Sequence, residues 1–309
     1  MSPASDETLT AAIRRKSRRL TDPANRPTDV LKESDAWELA RASGVSLHRL
    51  YLCAIQSGIW PIRYMRNAAS LSLTDQAALG NAQVAVIGAG GLGGTVISLL
   101  ARMGVGTLVV VDPDSYEESN LNRQVYASPD NLRRPKAEVA REAVHQTNPA
   151  VIAKAFVGRL SAENAATVLA EADAAVDALD NVPDRIILSR ACRNAGIPMV
   201  HAAVAGWEGQ LMTVFPEDTE LSAIYGNVTL PPEAPTPEAL MGVPAVTPAL
   251  LASLQAMETV KVLLGRNAQC LRNRMLYVDL LESSFEVLHL GPPAANPARC
   301  GGGRLQPAR

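Results

Sequence analysis

Cysteine is scarce in this chain, and no two cysteines are closely paired. The 309 residues include 4 cysteines, and no Cys-x-x-Cys pair occurs among them. Disulfide scaffolds and zinc sites built from two cysteine pairs need more cysteine at closer spacing. We therefore expect neither, and we expect a reducing, cytoplasmic location. The cysteines are Cys53, Cys192, Cys270 and Cys300.

Long apolar runs and an excess of one charge are also missing. The 29 Lys and Arg residues nearly balance the 31 Asp and Glu residues, which leaves a formal net charge of −2. A transmembrane helix needs about 20 successive apolar residues, and binding along nucleic-acid phosphates is favoured by a basic excess. With 47% hydrophobic and 19% charged residues, the composition indicates a globular protein with a sizeable core. We expect no membrane span, and nucleic-acid binding is disfavoured.

The first sixty residues differ in composition from the rest of the chain. Residues 1–60 are predicted to form a helical N-terminal extension, of which residues 1–32 are polar and loosely ordered at their start. Two short helices are expected at 36–42 and 47–56. Ser46 is a candidate N-cap of the second helix, because its hydroxyl can accept a bond from a free backbone N–H.

The remainder is predicted to be one main domain, 61–290, with a flexible tail rich in Pro and Gly at 291–309. Short apolar strands alternate with helices over 83–204, and this alternation is typical of a doubly wound α/β fold with a mainly parallel sheet. Antiparallel strands are expected to extend that sheet toward the C-terminus. The proline-rich segment 216–248 is predicted to be a long crossover loop with a functional role.

A glycine-rich turn lies between the first buried strand and its helix. The sequence from Gly88 to Gly94 contains glycines that let the backbone approach a phosphate, and the next helix offers N–H donors. Asp112 ends the next strand, where a carboxylate can accept bonds from ribose hydroxyls. The pattern predicts a nucleotide site without choosing the nucleotide, since an NAD-dependent oxidoreductase would use the same turn. The candidate glycines are Gly88, Gly90, Gly91 and Gly93.

Charged side chains near the same sheet edge favour a triphosphate over NAD. Arg123 and Lys136 come after the second strand, and Asp180 comes after a later parallel strand. Cations can balance charge that develops on phosphates, and a carboxylate can hold Mg²⁺. Hydride transfer has no special need for this set. Asp180 is also a candidate N-cap for the helix predicted over 185–194.

Taken together, these segments resemble the adenylation domain of the ThiF/MoeB/HesA family, the bacterial relatives of ubiquitin-activating enzymes. The resemblance covers roughly residues 60–290. Its motifs are Arg63 to Asn67, Ile87 to Gly93, Val111 to Asp114, Ser119 to Gln124, Pro135-Lys136, Asp177 to Asn181, Gly206 to Gln210 and Ser253 to Glu258.

The resemblance implies a Rossmann-like fold and a specific reaction. Such enzymes use ATP and Mg²⁺ to adenylate the C-terminal glycine of a small ubiquitin-like sulfur carrier ending in Gly-Gly, and they release pyrophosphate. By position, Asp112 would hold the ribose, Asp180 would bind Mg²⁺, and Arg66 would reach the triphosphate of the other subunit in a homodimer. The implied catalytic residues are Arg66, Arg123, Lys136 and Asp180. The remaining implied nucleotide contacts are Gly88, Gly90, Gly91, Gly93, Ser119, Asn120, Asn122 and Asn181.

The chain departs from the family pattern in its cysteines. Many relatives hold a structural zinc with two Cys-x-x-Cys pairs, but here 220–225 lacks cysteine and Cys300 stands alone. One thiolate cannot form a tetrahedral zinc site, so we expect no zinc. The segment 226–252 also lacks the cysteine that some relatives use for a covalent carrier link. The resemblance therefore implies adenylation and then attack from a separate sulfur donor.

Several alternatives stay open at this point. Related enzymes adenylate a peptide C-terminus or a carboxylate on a modified tRNA base. An NAD-dependent oxidoreductase is a more distant alternative. The stretch from Leu39 into the helix at 47–56 also resembles a helix-turn-helix, in which Arg41, His48 and Arg49 would contact DNA, so a DNA-binding, nucleotide-sensing regulator is a further one.

Overall fold

The N-terminal extension contains both helix and sheet. The computed structural model describes residues 5–22, 24–218, 220–226 and 236–290. The extension contains α1 (Asp6–Lys16), β1 (Arg18–Thr21), β2 (Pro27–Leu31), α2 (Glu33–Ser43), α3 (Leu47–Gln56) and β3 (Trp60–Pro61). Strand β2 pairs antiparallel with β1 and parallel with β3. The two later helices and the Ser46 cap agree with the sequence, whereas α1, β1 and β2 within the polar stretch were not predicted, and residues 1–4 at its start lie outside the described residues.

Helix α1 and the small sheet of β1, β2 and β3 were not predicted. The strands of this sheet show little of the alternation between apolar and polar residues that indicates a strand. The side chains of β1 are exposed or half-buried, and only the last two residues of β2 are buried. These elements become ordered by packing Leu9, Ile13 and Val30 into one core with α2 and α3. Arg63, just beyond β3, joins this core to the main domain by donating to the Glu33 carboxylate and to the Thr147 carbonyl.

The main domain is built on an eight-stranded sheet in the order β11-β10-β9-β8-β7-β4-β5-β6. Strands β6, β5, β4, β7 and β8 are parallel, and β9, β10 and β11 continue the sheet antiparallel. This arrangement confirms the predicted fold class. The strands are β4 (Gln83–Ile87), β5 (Thr107–Asp112), β6 (Ile152–Val157), β7 (Ala174–Asp177), β8 (Met199–Ala205), β9 (Glu208–Val214), β10 (Arg274–Asp279) and β11 (Ser284–His289).

Helices cover both faces of the sheet, as a buried parallel sheet requires. One core contains side chains of α5, α6 and α11, and the opposite core contains side chains of α7 and α8. Within the described ranges, no helix is both long and apolar enough to cross a membrane. The helices are α4 (Leu73–Asn81), α5 (Gly91–Met103), α6 (Lys136–Thr147), α7 (Ala165–Val168), α8 (Val182–Ala195), α9 (Ser222–Tyr225), α10 (Pro237–Met241) and α11 (Val246–Leu263).

The crossover segment 216–248 contains short helices that its proline-rich sequence did not predict. Helix α10 is capped by the Thr236 hydroxyl, and its C-terminal end is attached to the turn between β8 and β9, where the Gly206 amide donates to the Gly242 carbonyl. Residues 219, 227–235 and the predicted tail 291–309 lie outside the described residues. The crossover therefore lies beside the carboxyl ends of β7 and β8.

Candidate nucleotide-binding cleft

A cleft of about 540 Å³ opens at the carboxyl ends of β4, β5 and β7. Ligands of open α/β sheets bind at this edge. The glycine turn forms one wall, and the crossover helix α10 forms part of another. Eight of the residues predicted from the sequence line the cleft: Gly88, Gly90, Gly91, Asp112, Arg123, Lys136, Asp180 and Asn181.

The glycine turn is required by close backbone packing, apart from any role in binding a ligand. Gly88 has φ +101°, and a Cβ there would lie 2.4 Å from the Ala178 carbonyl oxygen. Gly93 does not line the cleft. A Cβ at Gly93 would lie 1.9 Å from the Gly88 carbonyl oxygen, so this glycine permits the helix to approach the strand.

Gly93→Ala is expected to destabilise the fold strongly. The new methyl cannot move away from the backbone oxygen of Gly88, and a clash of this kind costs more than about 3 kcal/mol. Thermal unfolding monitored by circular dichroism measures the loss. Gly196→Ala is the matched control, since Gly196 has φ +70° but open space around its Cβ, and we expect a cost there of only about 1–2 kcal/mol. Equal unfolding temperatures for the two variants would contradict the packing argument.

Asp112 fixes the shape of the glycine turn. Its carboxylate is buried and accepts one backbone N–H at each oxygen, from Ala89 at 2.7 Å and from Asp114 at 2.8 Å. Burial raises the pKa of Asp112, and these two bonds oppose the rise. Each oxygen keeps a second lone pair, so the predicted bond to ribose is compatible with this arrangement.

Nearby oxygen atoms hold the side chains of the two predicted cations, Lys136 and Arg123. Lys136 begins α6 with a mostly buried side chain, and its Nζ lies 3.0 Å from Asp114 Oδ2. Arg123 Nη1 donates to the Ser119 carbonyl at 3.0 Å and to Asn122 Oδ1 at 2.9 Å. Both side chains line the cleft, so their positive charge faces the same volume as the glycine turn.

Four of the predicted residues do not line the cleft, besides Gly93. Asn120 is buried, and its Oδ1 accepts the Glu117 amide, so it shapes the local turn. Ser119 contributes its carbonyl to Arg123, and Asn122 Nδ2 reaches the Val243 carbonyl at 3.4 Å. Arg66 is exposed on the 3-10 turn Ile62–Asn67. Their roles as nucleotide contacts stay predictions.

Asp180 lines the cleft and is exposed, and Asn181 Nδ2 donates to its Oδ1 at 3.1 Å. The possible second role of Asp180 as a helix cap was wrong. Helix α8 begins at Val182, and the N-cap is Asn181, whose side chain accepts the Asp184 amide. The Asp180 carboxylate therefore takes no part in capping α8, and it lines the cleft.

The donor set at Asp180 fits Mg²⁺. This ion prefers carboxylate oxygen and is typically bound by one or two carboxylates together with substrate phosphates, without an enclosed protein cage. Across the described ranges, no group of three or more His, Cys, Asp or Glu side chains is placed to hold a metal. Three cysteines, Cys53, Cys192 and Cys270, are buried free thiols, and Cys300 lies outside the described residues.

A buried polar network behind the cleft was not predicted. His201 Nδ1 lies 2.7 Å from Asp177 Oδ2, and the Tyr225 hydroxyl lies 2.9 Å from His201 Nε2. Burial opposes ionisation of Asp177, but Arg185 and His201 outweigh it and lower its pKa. Burial likewise lowers the pKa of His201 against the opposing bond to Asp177. The signal in the sequence was the polar His201 within an otherwise apolar strand.

Arg185 connects this network to the cleft. Its side chain is almost fully buried, and its Nη2 lies 3.7 Å from Glu238 Oε1 on α10. The pKa of Glu238 is raised to about 7, mainly by burial; Arg185 and Arg123 oppose the rise, and Asp180 and Asp177 add to it. Neither Arg185 nor Glu238 was among the predicted site residues.

A second cavity of about 590 Å³ adjoins the cleft. Arg159, Asp180, Arg185 and Glu238 belong to the walls of both. The second cavity continues along β8 and β9 toward Tyr225 and Tyr277. An extended segment lying in it would point one end into the cleft.

Comparison with known proteins gives one family. A model described as the ThiF family matches residues 64–301. The chain is 40% identical over 227 residues to the SAMP-activating enzyme E1 of Haloferax volcanii, and the match spans 72% of this chain and 80% of that protein. It is 40% identical over 221 residues to the sulfur carrier protein adenylyltransferase of Thermus thermophilus, with a match that spans 69% and 80%.

Two further matches extend the comparison. The sulfur carrier protein ThiS adenylyltransferase of Escherichia coli is 32% identical over 251 residues, which cover 80% of this chain and 97% of that protein. Among solved structures, E. coli MccB superimposes with a TM-score of 0.65 at 21% identity over 80% of this chain and 74% of that one. The likeness to MccB concerns the fold alone.

Proposed function

Because this chain belongs to the ThiF family, we propose that it uses ATP to adenylate the C-terminal glycine of a small ubiquitin-like sulfur carrier ending in Gly-Gly. The observation that carries the proposal is the 40% identity to two carrier-activating relatives over 80% of their lengths. The cleft supports it, since its charged residues suit a nucleotide with phosphates.

We assign the nucleotide to the cleft at the glycine turn. The backbone at Gly90 and Gly91 allows close approach of a phosphate, and α5, whose N-cap Gly90 makes no side-chain capping bond, directs the N–H groups of its first turn toward this site. Arg123 and Lys136 supply positive charge, and Asp112 is placed to accept from the ribose. Asp180 would hold Mg²⁺ with the phosphates, and the bound ion would neutralise phosphate charge.

The chemistry joins two anions, so positioning and charge neutralisation carry it. A terminal carboxylate oxygen attacks the α-phosphorus of ATP, the bond to the β-phosphate oxygen breaks, and pyrophosphate leaves. The product is a carrier acyl-adenylate. We assign the carrier tail to the second cavity, from which its end can reach the cleft, and we expect the crossover 216–248 to cover the tail. A separate sulfur donor would then release AMP.

We also propose a homodimer with Arg66 acting on the partner's nucleotide, and a cytoplasmic location. The exposed position of Arg66 outside its own cleft supports a role across the interface. The predicted DNA contacts find no support in the contacts described. The His48 ring binds the Ala150 carbonyl, Arg49 pairs with Asp6, and Arg41 lies over the Trp37 ring.

Carrier-dependent ATP–pyrophosphate exchange tests the proposal. With Mg²⁺, ATP and labelled pyrophosphate, we expect label to enter ATP only when a small protein ending in Gly-Gly is added. The same carrier with a C-terminal carboxamide is the matched control, because it offers no oxygen anion to attack phosphorus, and it should give background exchange. Exchange driven instead by a free peptide or a tRNA carboxylate would reassign the substrate. Tight NAD binding without ATP binding would refute the proposal.

A further inference from the structure

The cleft and the second cavity meet at an ion pair. Arg185 extends from α8, Glu238 extends from the crossover helix α10, and both belong to the walls of the two volumes. If the nucleotide lies on one side and the carrier tail on the other, the reacting carboxylate must arrive at this junction. The pair therefore stands where a substrate carboxylate is expected.

Arg185 is held rigidly with its charge directed at the junction. Its Nη1 donates to the Ala202 carbonyl at 2.6 Å, and its Nη2 donates to the Leu179 carbonyl. Asp177 Oδ2 lies 3.6 Å from Nη1, whereas Glu238 lies nearest to Nη2. A guanidinium fixed in this way loses little further freedom when it binds a carboxylate. Nη2 carries two N–H groups, so one is left for an acceptor at the junction.

Glu238 is only loosely bound to Arg185 at the junction. Its Oε1 lies 3.7 Å from Arg185 Nη2, which is beyond hydrogen-bond range, and its side chain is 18% exposed. The charges that act on it are Arg185 and Arg123 on one side and Asp180 and Asp177 on the other, and Tyr225 lies near the same network. A carboxylate that has both positive and negative neighbours, and whose ion pair is long, is easily displaced.

We propose that Glu238 occupies the position on Arg185 that the terminal carboxylate of the carrier takes during adenylation. Glu238 is thus an internal competitor, and its charge sets the apparent affinity for the carrier tail. This inference rests on the proposed function. Its physical basis is that Nη2 has one N–H left at the junction, and two carboxylates crowded against that single donor repel each other, so one must leave before the other binds.

The competition should depend on pH near neutrality. The Glu238 pKa lies at about 7, raised mainly by burial. Below that pH the side chain is neutral and competes weakly, and above it the side chain is charged and competes strongly. A terminal carboxyl has a pKa of about 3.5 and stays ionised throughout this range. The KM for the carrier should therefore rise as pH increases through 7.

Exchange kinetics at pH 6 and pH 8 test the inference with Glu238→Gln, which keeps the shape and removes the charge. The probe is the Gly-Gly-ending carrier that gives the fastest exchange with the wild-type chain. At pH 8 the variant should show a carrier KM about fivefold lower than wild type, the factor expected if Glu238 covers Arg185 some four-fifths of the time. At pH 6 the carrier KM of the variant should approach that of the wild-type chain. The KM for ATP and kcat should stay within about twofold, because competition acts on carrier capture alone.

Glu220→Gln is the matched control. Glu220 also lies in the crossover segment and pairs with arginine, its Oε1 lying 3.5 Å from Arg193 Nε, but it lines neither cavity. It should behave as wild type at both pH values. An unchanged or higher carrier KM in Glu238→Gln at pH 8, or a wild-type pH dependence retained in that variant, would overturn the inference while leaving the proposed function in place. Absence of carrier-dependent exchange in the wild-type chain would overturn both.

Discussion

Asp180→Ala is expected to abolish ATP–pyrophosphate exchange, with a loss of at least about a thousandfold, because the proposed role of the Asp180 carboxylate is to hold the Mg²⁺ that neutralises the phosphates. The fold should persist, since the Asp180 side chain is exposed and Asn181, not Asp180, caps α8. Carrier-dependent exchange measures the loss. Circular dichroism and the unfolding temperature measure the fold.

Two further variants separate a metal role from a general charge effect. Asp180→Asn keeps the shape but removes the anion, and we expect nearly the same loss because an amide oxygen is a poorer Mg²⁺ ligand. Asp130→Ala removes an exposed carboxylate outside the cleft and should leave exchange unchanged. Full activity in Asp180→Ala would refute the metal role.

Arg66→Ala is expected to lose at least about a hundredfold in exchange rate, since a cation that contacts transferring phosphates contributes on this scale. The loss should be rescued across the dimer. When Arg66→Ala and Asp180→Ala chains are mixed and allowed to exchange subunits, half of the dimers are mixed, and each carries one site with both residues intact. About a quarter of wild-type activity should return by this statistical argument.

The cross-subunit role of Arg66 is tested by comparing the exchange activity of the mixed sample with that of each variant alone. Recovery well above either parent shows that Arg66 acts on the partner's site. If the mixture shows only the average of two inactive parents while size-exclusion chromatography confirms subunit exchange, Arg66 acts within its own chain. Full activity in Arg66→Ala alone would mean that Arg66 has no catalytic role.

Much of the main domain could be predicted because its strands are short apolar runs next to glycine or acid. Strand β4 is buried along its whole length, and Gly88 and Asp112 lie at the ends of β4 and β5, on the edge where ligands bind. Local pattern is sufficient there, since burial on both faces demands continuous apolar sequence. The N-terminal sheet was missed because its order comes from packing against α2 and α3 and leaves no alternation in β1.

The buried network was missed for a related reason. Asp177 and His201 lie 24 residues apart and meet only because β7 and β8 are neighbours in the sheet. Glu238 was missed because its importance depends on where the crossover returns to the sheet edge, and the proline-rich sequence gives no indication of that. Contacts between residues that are distant in sequence depend on the order of the strands, so the spacing of residues within a segment does not predict them. Turns and strand ends, in contrast, are predicted by their local sequence.

The fixed geometry of the segment that carries Arg66 bears on the energetics of the proposed cross-subunit catalysis. Neighbouring side chains fix it, since Arg63 bonds Glu33 and the Tyr64 hydroxyl accepts from Asn148 Nδ2 at 2.7 Å. The conformational entropy of this turn is therefore lost when each chain folds and not when ATP arrives. In the proposed dimer, a preorganised turn would bring its arginine to the partner's site through the angle at which the two subunits meet, so their alignment would become a determinant of rate.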